Sequence, residues 1–101
     1  MTMLRRSRPE PIWRSGDLPC RDASAKLVEQ GDGPALVRCG GEQVLLDELG
    51  MLLWPLLDGV RSAPSLARSL SDQTGAPTLG TAIAVRLVLE ELAAIGAVHW
   101  A

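Results

Sequence analysis

The chain has 101 residues, of which 47% are hydrophobic, and this is enough for a single domain with one modest core. Its formal net charge is -2, so it lacks the basic surplus that is typical of nucleic-acid-binding domains. No apolar run reaches the roughly 18 residues of a membrane span, and no apolar stretch follows the N-terminal arginines as it would in an export signal, so the sequence predicts a cytoplasmic protein.

The first half of the chain predicts an arm followed by β structure. Residues 1–23 are polar, contain three prolines and show no hydrophobic period, which indicates a flexible N-terminal arm ahead of a domain at 24–101. Short apolar runs at 26–29, 35–39 and 42–46 predict three strands, because glycine-rich turn sequences separate them. The three strands would form an antiparallel meander.

From Asp47 onward the hydrophobic period becomes helical, and the first helix has clear end signals. Asp47 is a good N-cap, and Asp58-Gly59 ends the helix. Pro55 has no backbone N–H, so it is expected to kink or thin the helix near Met51.

Two more helices follow before a short tail. Ser62 or Ala63 opens the second helix, which closes at Gly75. Thr78 is the predicted cap of the third and longest helix, which extends to Ile95. The remaining residues predict a short extended tail packed on the body. The fold class is therefore α+β and winged-helix-like: a three-stranded antiparallel meander followed by three helices.

Nothing in the sequence predicts catalysis, a cofactor or a metal. The single histidine, His99, has no partner motif, and the adjacent pair Glu90-Glu91 points to different sides of a helix. Cys20 and Cys39 belong to no CxxC pair or Cys/His cluster, and a cytoplasmic chain would keep both reduced. There is no P-loop and no other nucleotide-binding or hydrolase motif.

Apolar surface remains after the core is assigned. One arc of the third helix is expected to fill the core: Val85, Val88, Leu89, Leu92 and Ile95. Ile83 and Leu87 lie roughly opposite, so they either pack under a terminal segment or form a partner surface.

The third predicted strand gives a related indication. In a meander its outer edge is unpaired, and it has no proline and only one flanking charge. It could accept a foreign strand by β-augmentation, with a helix flank supplying side-chain pockets.

The order of segments resembles a known family, the PqqD-like proteins, also called RiPP recognition elements (RiPPs are ribosomally made, post-translationally modified peptides). The similarity covers about residues 26–99 and rests on three segments: Leu46-Asp47-Glu48 leading into Leu53-Trp54, then Leu56-Leu57-Asp58-Gly59, and finally Leu92-Ala93-Ala94-Ile95-Gly96-Ala97-Val98.

The resemblance implies a non-catalytic peptide chaperone for natural product biosynthesis. Such a protein holds the leader of a precursor peptide and delivers it to a peptide-modifying enzyme. The leader would add as a strand beside the third strand, in the cleft that this strand forms with the third helix. Carried onto this chain, the implied peptide-binding residues are Glu42, Gln43, Val44, Leu45 and Leu46 from the strand, with Ala82, Ile83, Arg86 and Leu89 from the helix.

Two other functions stay open. A winged-helix DNA-binding regulator is the alternative, although the third helix offers only Arg86 beside two glutamates for reading DNA. A ligand-free structural subunit would instead use Ile83 and Leu87 to contact a larger enzyme. The open strand edge could also pair two copies as a homodimer.

Overall fold

The computed structural model describes residues 18–101, and the arm predicted for 1–23 therefore lies largely outside the described residues. In chain order the elements are β1 (Pro19–Arg21), β2 (Lys26–Val28), β3 (Ala35–Cys39), β4 (Glu42–Leu46), α1 (Glu48–Leu53), a 3₁₀ turn (Trp54–Leu56), α2 (Ala63–Thr74), α3 (Thr78–Ala94) and β5 (Val98–Trp100). The predicted α+β class is confirmed: an antiparallel sheet in the order β2-β3-β4 is followed by three helices.

The β3–β4 hairpin turns at two glycines with positive φ. Gly40 has φ 60° and Gly41 has φ 86°, which are the values of a type I′ turn that most residues cannot adopt. Cys39 pairs with Glu42 directly across this turn, and the register continues to the Ala35–Leu46 pair. The register places the side chains of Val44 and Leu46 towards the helices, where Leu46 is buried.

Helix α1 begins immediately after β4, with Asp47 as the predicted N-cap. The Oδ1 atom of Asp47 accepts a hydrogen bond of 2.8 Å from the backbone N–H of Gly50. Gly50 also allows the helix to approach the strand closely, because a Cβ atom there would lie only 3.0 Å from the Cδ2 atom of Leu46. The effect of Pro55 is larger than the predicted kink: the α-helix ends at Leu53 rather than at Asp58-Gly59, and the chain continues only as the 3₁₀ turn.

Helices α2 and α3 cover one face of the sheet. Ser62 caps α2, and Gly75 ends it with φ 78°, as predicted. The predicted cap of α3 is wrong, since Pro77 occupies the cap position and Thr78 is the first helical residue. The Thr78 hydroxyl lies 3.1 Å from the Oγ atom of Ser71 instead, so it joins α3 to α2.

The core lies between the sheet and the three helices. Its fully buried side chains include Val37, Leu53, Leu57, Leu66, Leu70, Val85, Leu89 and Leu92. Val88 and Ile95 are half-buried against this cluster. The core arc predicted for α3 is therefore confirmed for Val85, Leu89 and Leu92, whereas Val88 and Ile95 lie at the edge of the core. None of the helices within residues 18–101 combines the length and apolarity that a bilayer crossing requires.

A second, two-stranded sheet joins the two ends of the described chain. Strand β1 pairs antiparallel with β5, and the backbone N–H of Ala101 donates to the carbonyl of Leu18 at 2.8 Å. The predicted extended tail is thus present and paired. Strand β1 was not predicted, and it lies inside the range assigned to the arm.

Strand β1 also holds the end of the first helical segment through Arg21. Its Nη1 atom donates a 2.9 Å hydrogen bond to the carbonyl of Trp54, and its guanidinium lies 5.9 Å from the centroid of the Trp54 ring. Its backbone N–H donates to the carbonyl of Leu57 at 3.1 Å. One arginine therefore fixes the segment that follows α1.

We expect the change Arg21→Ala to lower the free energy of unfolding by about 2 kcal/mol, because it removes a charge-assisted hydrogen bond and a cation–π contact. Urea denaturation monitored by tryptophan fluorescence measures this loss. The matched control is Arg68→Ala on the exposed face of α2, which should change stability by less than about 0.5 kcal/mol. Equal effects of the two changes would contradict the role of Arg21.

Asp58 organises the turn between the 3₁₀ segment and α2. Its Oδ1 atom accepts backbone hydrogen bonds from Val60 at 2.9 Å and Arg61 at 3.2 Å, and its Oδ2 atom lies 2.9 Å from the Arg61 guanidinium. The hydrogen bond from Val60, followed by the Arg61 hydrogen bond and charge, holds the pKa of Asp58 below its ordinary value of 3.8.

A lowered folded-state pKa means that Asp58 stabilises the fold above its unfolded pKa and that this contribution is lost as pH falls through the folded pKa. We therefore expect the stability difference between the wild type and Asp58→Ala to be constant from about pH 7 to 5 and to shrink below about pH 4. Urea unfolding at each pH measures it. Asp58→Asn keeps the Oδ1 acceptor but cannot titrate, so it should lose less stability than the wild type on acidification. A wild-type advantage over alanine that persists undiminished near pH 2 would contradict this assignment.

Candidate functional site

A concave surface lies where the end of β4 meets the start of α1 and one flank of α3. Three adjoining grooves form it, and Asp47 lines all three, so we call the whole surface the Asp47 groove. The largest part has a volume of about 900 Å³, which is within the size range of ligand sites. The turn between β2 and β3 forms its far wall.

The walls of the Asp47 groove are mainly apolar. Leu49, Met51 and Leu52 contribute from α1, and all three are only half-buried although they pack against the core. Ala84 and Val88 contribute from α3. A partner that covers these side chains would therefore gain the free energy of burying apolar surface.

The polar rim of the Asp47 groove is acidic. Its charged lining residues are Glu29, Asp47, Glu48, Glu90 and Glu91, and the lining contains neither Lys nor Arg. Asp47 also serves as the cap of α1, and Glu90 lies 3.4 Å from the exposed Arg86 guanidinium. An exposed pair of this kind screens little charge, so the groove has a negative field.

The outer edge of β4 adds backbone donors and acceptors to this surface. A type I′ turn makes Cys39–Glu42 a hydrogen-bonded pair, and such pairs alternate along an antiparallel ladder. The N–H and C=O groups of Gln43 and Leu45 consequently point away from β3. Within residues 18–101, β4 pairs with β3 only, so these groups face an open edge.

The five residues predicted on the strand lie together, but they differ in exposure. Leu45 is 62% exposed, Val44 is half-buried, and Leu46 is buried. Leu45 and Leu46 line the Asp47 groove beside Val88 and Glu91 of α3. The other three predicted residues, Glu42, Gln43 and Val44, line none of the grooves.

The four residues predicted on α3 line none of the three grooves. Leu89 is fully buried in the core, Ala82 is half-buried, and Ile83 and Arg86 are exposed. The flank that faces the groove carries Ala84, Leu87, Val88 and Glu91 instead. Because α3 has apolar residues around most of its circumference, its hydrophobic period does not indicate which flank meets the cleft.

Several groups of groove residues, including the start of α1, were absent from the predicted site. The β2–β3 turn supplies Glu29, Gln30 and Pro34, although the sequence identified it only as turn chemistry. On α3, Val88 was assigned to the core and the adjacent glutamates were assigned no role. The pair Glu90-Glu91 was a usable signal, because charged residues within one helical turn of Val88 indicate that this part of α3 lies at the edge of the core.

The side of α3 that faces away from the core presents an apolar stripe, which lies outside the largest of the three grooves. Leu79, Ile83 and Leu87 are 75%, 54% and 56% exposed, and they follow one another at four-residue spacing. The prediction that Ile83 and Leu87 lie away from the core is confirmed. Leu87 also lines the second groove, so the stripe and the Asp47 groove are continuous.

The described residues offer little metal-binding or acid–base chemistry. No group of three or more His, Cys, Asp and Glu side chains within residues 18–101 has the arrangement of a metal site. His99 Nδ1 lies 3.5 Å from Asp22 Oδ1 on the surface. Hydrogen bonds from Ser24 are the main cause of the lowered pKa of Asp22, with a smaller contribution from His99. Both cysteines are free.

Comparisons of the chain with protein-family models, with curated proteins and with solved structures found no match.

The register of β4 can be tested with proline substitutions at two neighbouring residues whose N–H groups point in opposite directions. We expect Leu45→Pro to change stability by about 1 kcal/mol or less, because its N–H points away from β3 and its side chain is exposed. Val44→Pro should cost about 2–4 kcal/mol, since it removes a ladder bond and leaves a carbonyl of β3 unpaired. Urea denaturation of the two variants measures both. A larger loss of unfolding free energy in Leu45→Pro than in Val44→Pro would contradict the assigned hydrogen-bonding pattern.

Proposed function

We propose that this chain is a non-catalytic peptide-binding protein that takes the leader of a ribosomally made precursor peptide as an added strand on β4 and presents it to a modifying enzyme. The observation that carries the proposal is the open edge at Gln43 and Leu45, directly beside an apolar groove. The order of segments that resembles the PqqD-like proteins supports the same function.

An added strand would use both parts of the site. Its backbone would bond to the outward N–H and C=O groups of Gln43 and Leu45. Because side chains alternate along a strand, one set would enter the Asp47 groove and contact Val88, while the other would lie against the exposed side chain of Leu45. Backbone bonds then supply affinity that tolerates sequence variation, and the groove supplies selectivity.

The expected affinity suits delivery rather than storage. Two buried apolar anchors contribute about 1.5–3 kcal/mol each, and a few backbone bonds contribute about 1 kcal/mol each. Ordering a disordered leader offsets part of this sum. A dissociation constant in the micromolar range or weaker is therefore expected, which permits release to an enzyme.

The other surfaces have parts in this proposal. The apolar stripe is a suitable contact for the modifying enzyme, because Leu79 and Ile83 line none of the grooves and remain exposed beside an occupied one. The function needs no cofactor and places the protein in the cytoplasm, where precursor peptides are made.

A winged-helix DNA-binding regulator is the second candidate, and the fold class favours it. The charges of the chain argue against DNA binding, because residues 18–101 carry six basic and ten acidic side chains. In addition, Arg86 lies beside Glu90 on α3. DNA binding through α3 would bring Glu90 and Glu91 towards phosphates, which costs affinity. Salt-sensitive binding to duplex DNA at low salt would favour this function over peptide binding.

The test of peptide binding is a backbone-amide NMR titration of the full chain with the leader halves of short peptides encoded beside its gene. We expect shifts concentrated at residues 42–46 and at residues 84–91 of α3. The Leu45→Pro variant should weaken binding about tenfold or more, because it removes one outward N–H and places a ring in the path of the added strand.

Arg68→Ala, which changes an exposed residue outside the groove, is the matched control and should bind like the wild type. Unchanged affinity of a folded Leu45→Pro variant would refute strand addition at β4. If none of the neighbouring peptides shifts any amide, the peptide-binding proposal fails.

A further inference from the structure

We propose that the peptide taken by the Asp47 groove is basic and apolar: an extended segment whose Lys or Arg residues flank its apolar anchors. This inference rests on the proposed function and names the chemical class of its ligand. Two observations support it: the charged residues that line the groove are acidic, and most of them form no ion pair within residues 18–101.

The acidic rim is not neutralised within the described part of the chain. The ion pairs among residues 18–101 are Arg61–Asp58, Arg86–Glu90 and His99–Asp22. None of them involves Glu29, Asp47, Glu48 or Glu91, so four of the five carboxylates that line the groove have no cationic partner there. A bound peptide that carries Lys or Arg would supply opposite charge to these four carboxylates.

The carboxylates lie on opposing walls rather than in one cluster. Glu29 belongs to the wall formed by the β2–β3 turn, Asp47 and Glu48 to the start of α1, and Glu91 to α3. A peptide lying along the groove therefore passes acidic groups on more than one side. Its charged residues must be cationic at several positions, not only at one end.

Long basic side chains match this combination of apolar walls and acidic rim. Lys and Arg can lay their methylene stems along apolar surface while their charged heads reach the edge. Here the stems would cover Leu49, Leu52 or Val88, and the heads would reach the carboxylates above them. An acidic peptide would meet repulsion at the same places, which costs free energy.

Selection from a random peptide library displayed on phage tests the inference without a known ligand. The full chain is the target, and folded Leu45→Pro is the comparison target. We expect peptides that prefer the wild type to be enriched in Lys and Arg next to apolar residues.

The two proposals fail differently in this experiment. Edge-dependent peptides without an excess of Lys and Arg, or with an excess of Asp and Glu, would overturn the inference and leave the proposed function intact. Absence of any peptides that prefer the wild type to Leu45→Pro would overturn both.

Variants of the rim then locate the interaction. For a selected Lys- or Arg-containing peptide at low salt, we expect Glu48→Gln and Glu91→Gln each to weaken binding about twofold to fivefold, as for exposed ion pairs. Raising the salt concentration to about 1 M should abolish these differences. Asp72→Asn, on an exposed position of α2 outside the groove, should have no effect. Equal affinities of all variants for such a peptide at low salt would refute recognition by the rim.

Discussion

The structure depends on the junction at which β4 passes directly into α1. Asp47 is the only residue between the strand and the helix, and its carboxylate fixes the first turn by accepting the N–H of Gly50. The helix can lie against the strand because Gly50 has no side chain to collide with Leu46. This junction fixes the angle between β4 and α1, and the Asp47 groove is the space that the angle leaves in front of α3.

Helix α1, which forms one wall of the groove, is short. Pro55 cannot donate the next helical hydrogen bond, so the α-helix ends at Leu53 and the chain continues as a 3₁₀ turn. Arg21 then holds the Trp54 carbonyl and ring. The short helix leaves Leu49 and Leu52 half-buried. The same residues therefore pack against the core and present apolar surface to the groove.

Features set by local signals could be predicted from the sequence. The glycine pair of the hairpin, the Asp47 cap and the irregularity at Pro55 each depend on residues within one turn of the chain. Strand β1 could not be predicted, because its three residues show no hydrophobic period and pair with residues about eighty positions later in the chain. The cap of α3 failed because Pro77 and Thr78 are adjacent candidates. The groove-facing flank of α3 depends on packing that an almost uniformly apolar helix does not encode.

The acidic rim also bears on why an open strand edge can persist in this chain. An unprotected edge tends to pair with another copy of itself, and proteins often prevent this with charge. Pairing of two β4 edges would bring the carboxylates of both copies, including Glu91 and Asp47, towards each other. The resulting repulsion opposes a homodimer through this edge. Under the proposal of a basic peptide ligand, the same charges would also attract the partner, so one set of residues would serve both purposes.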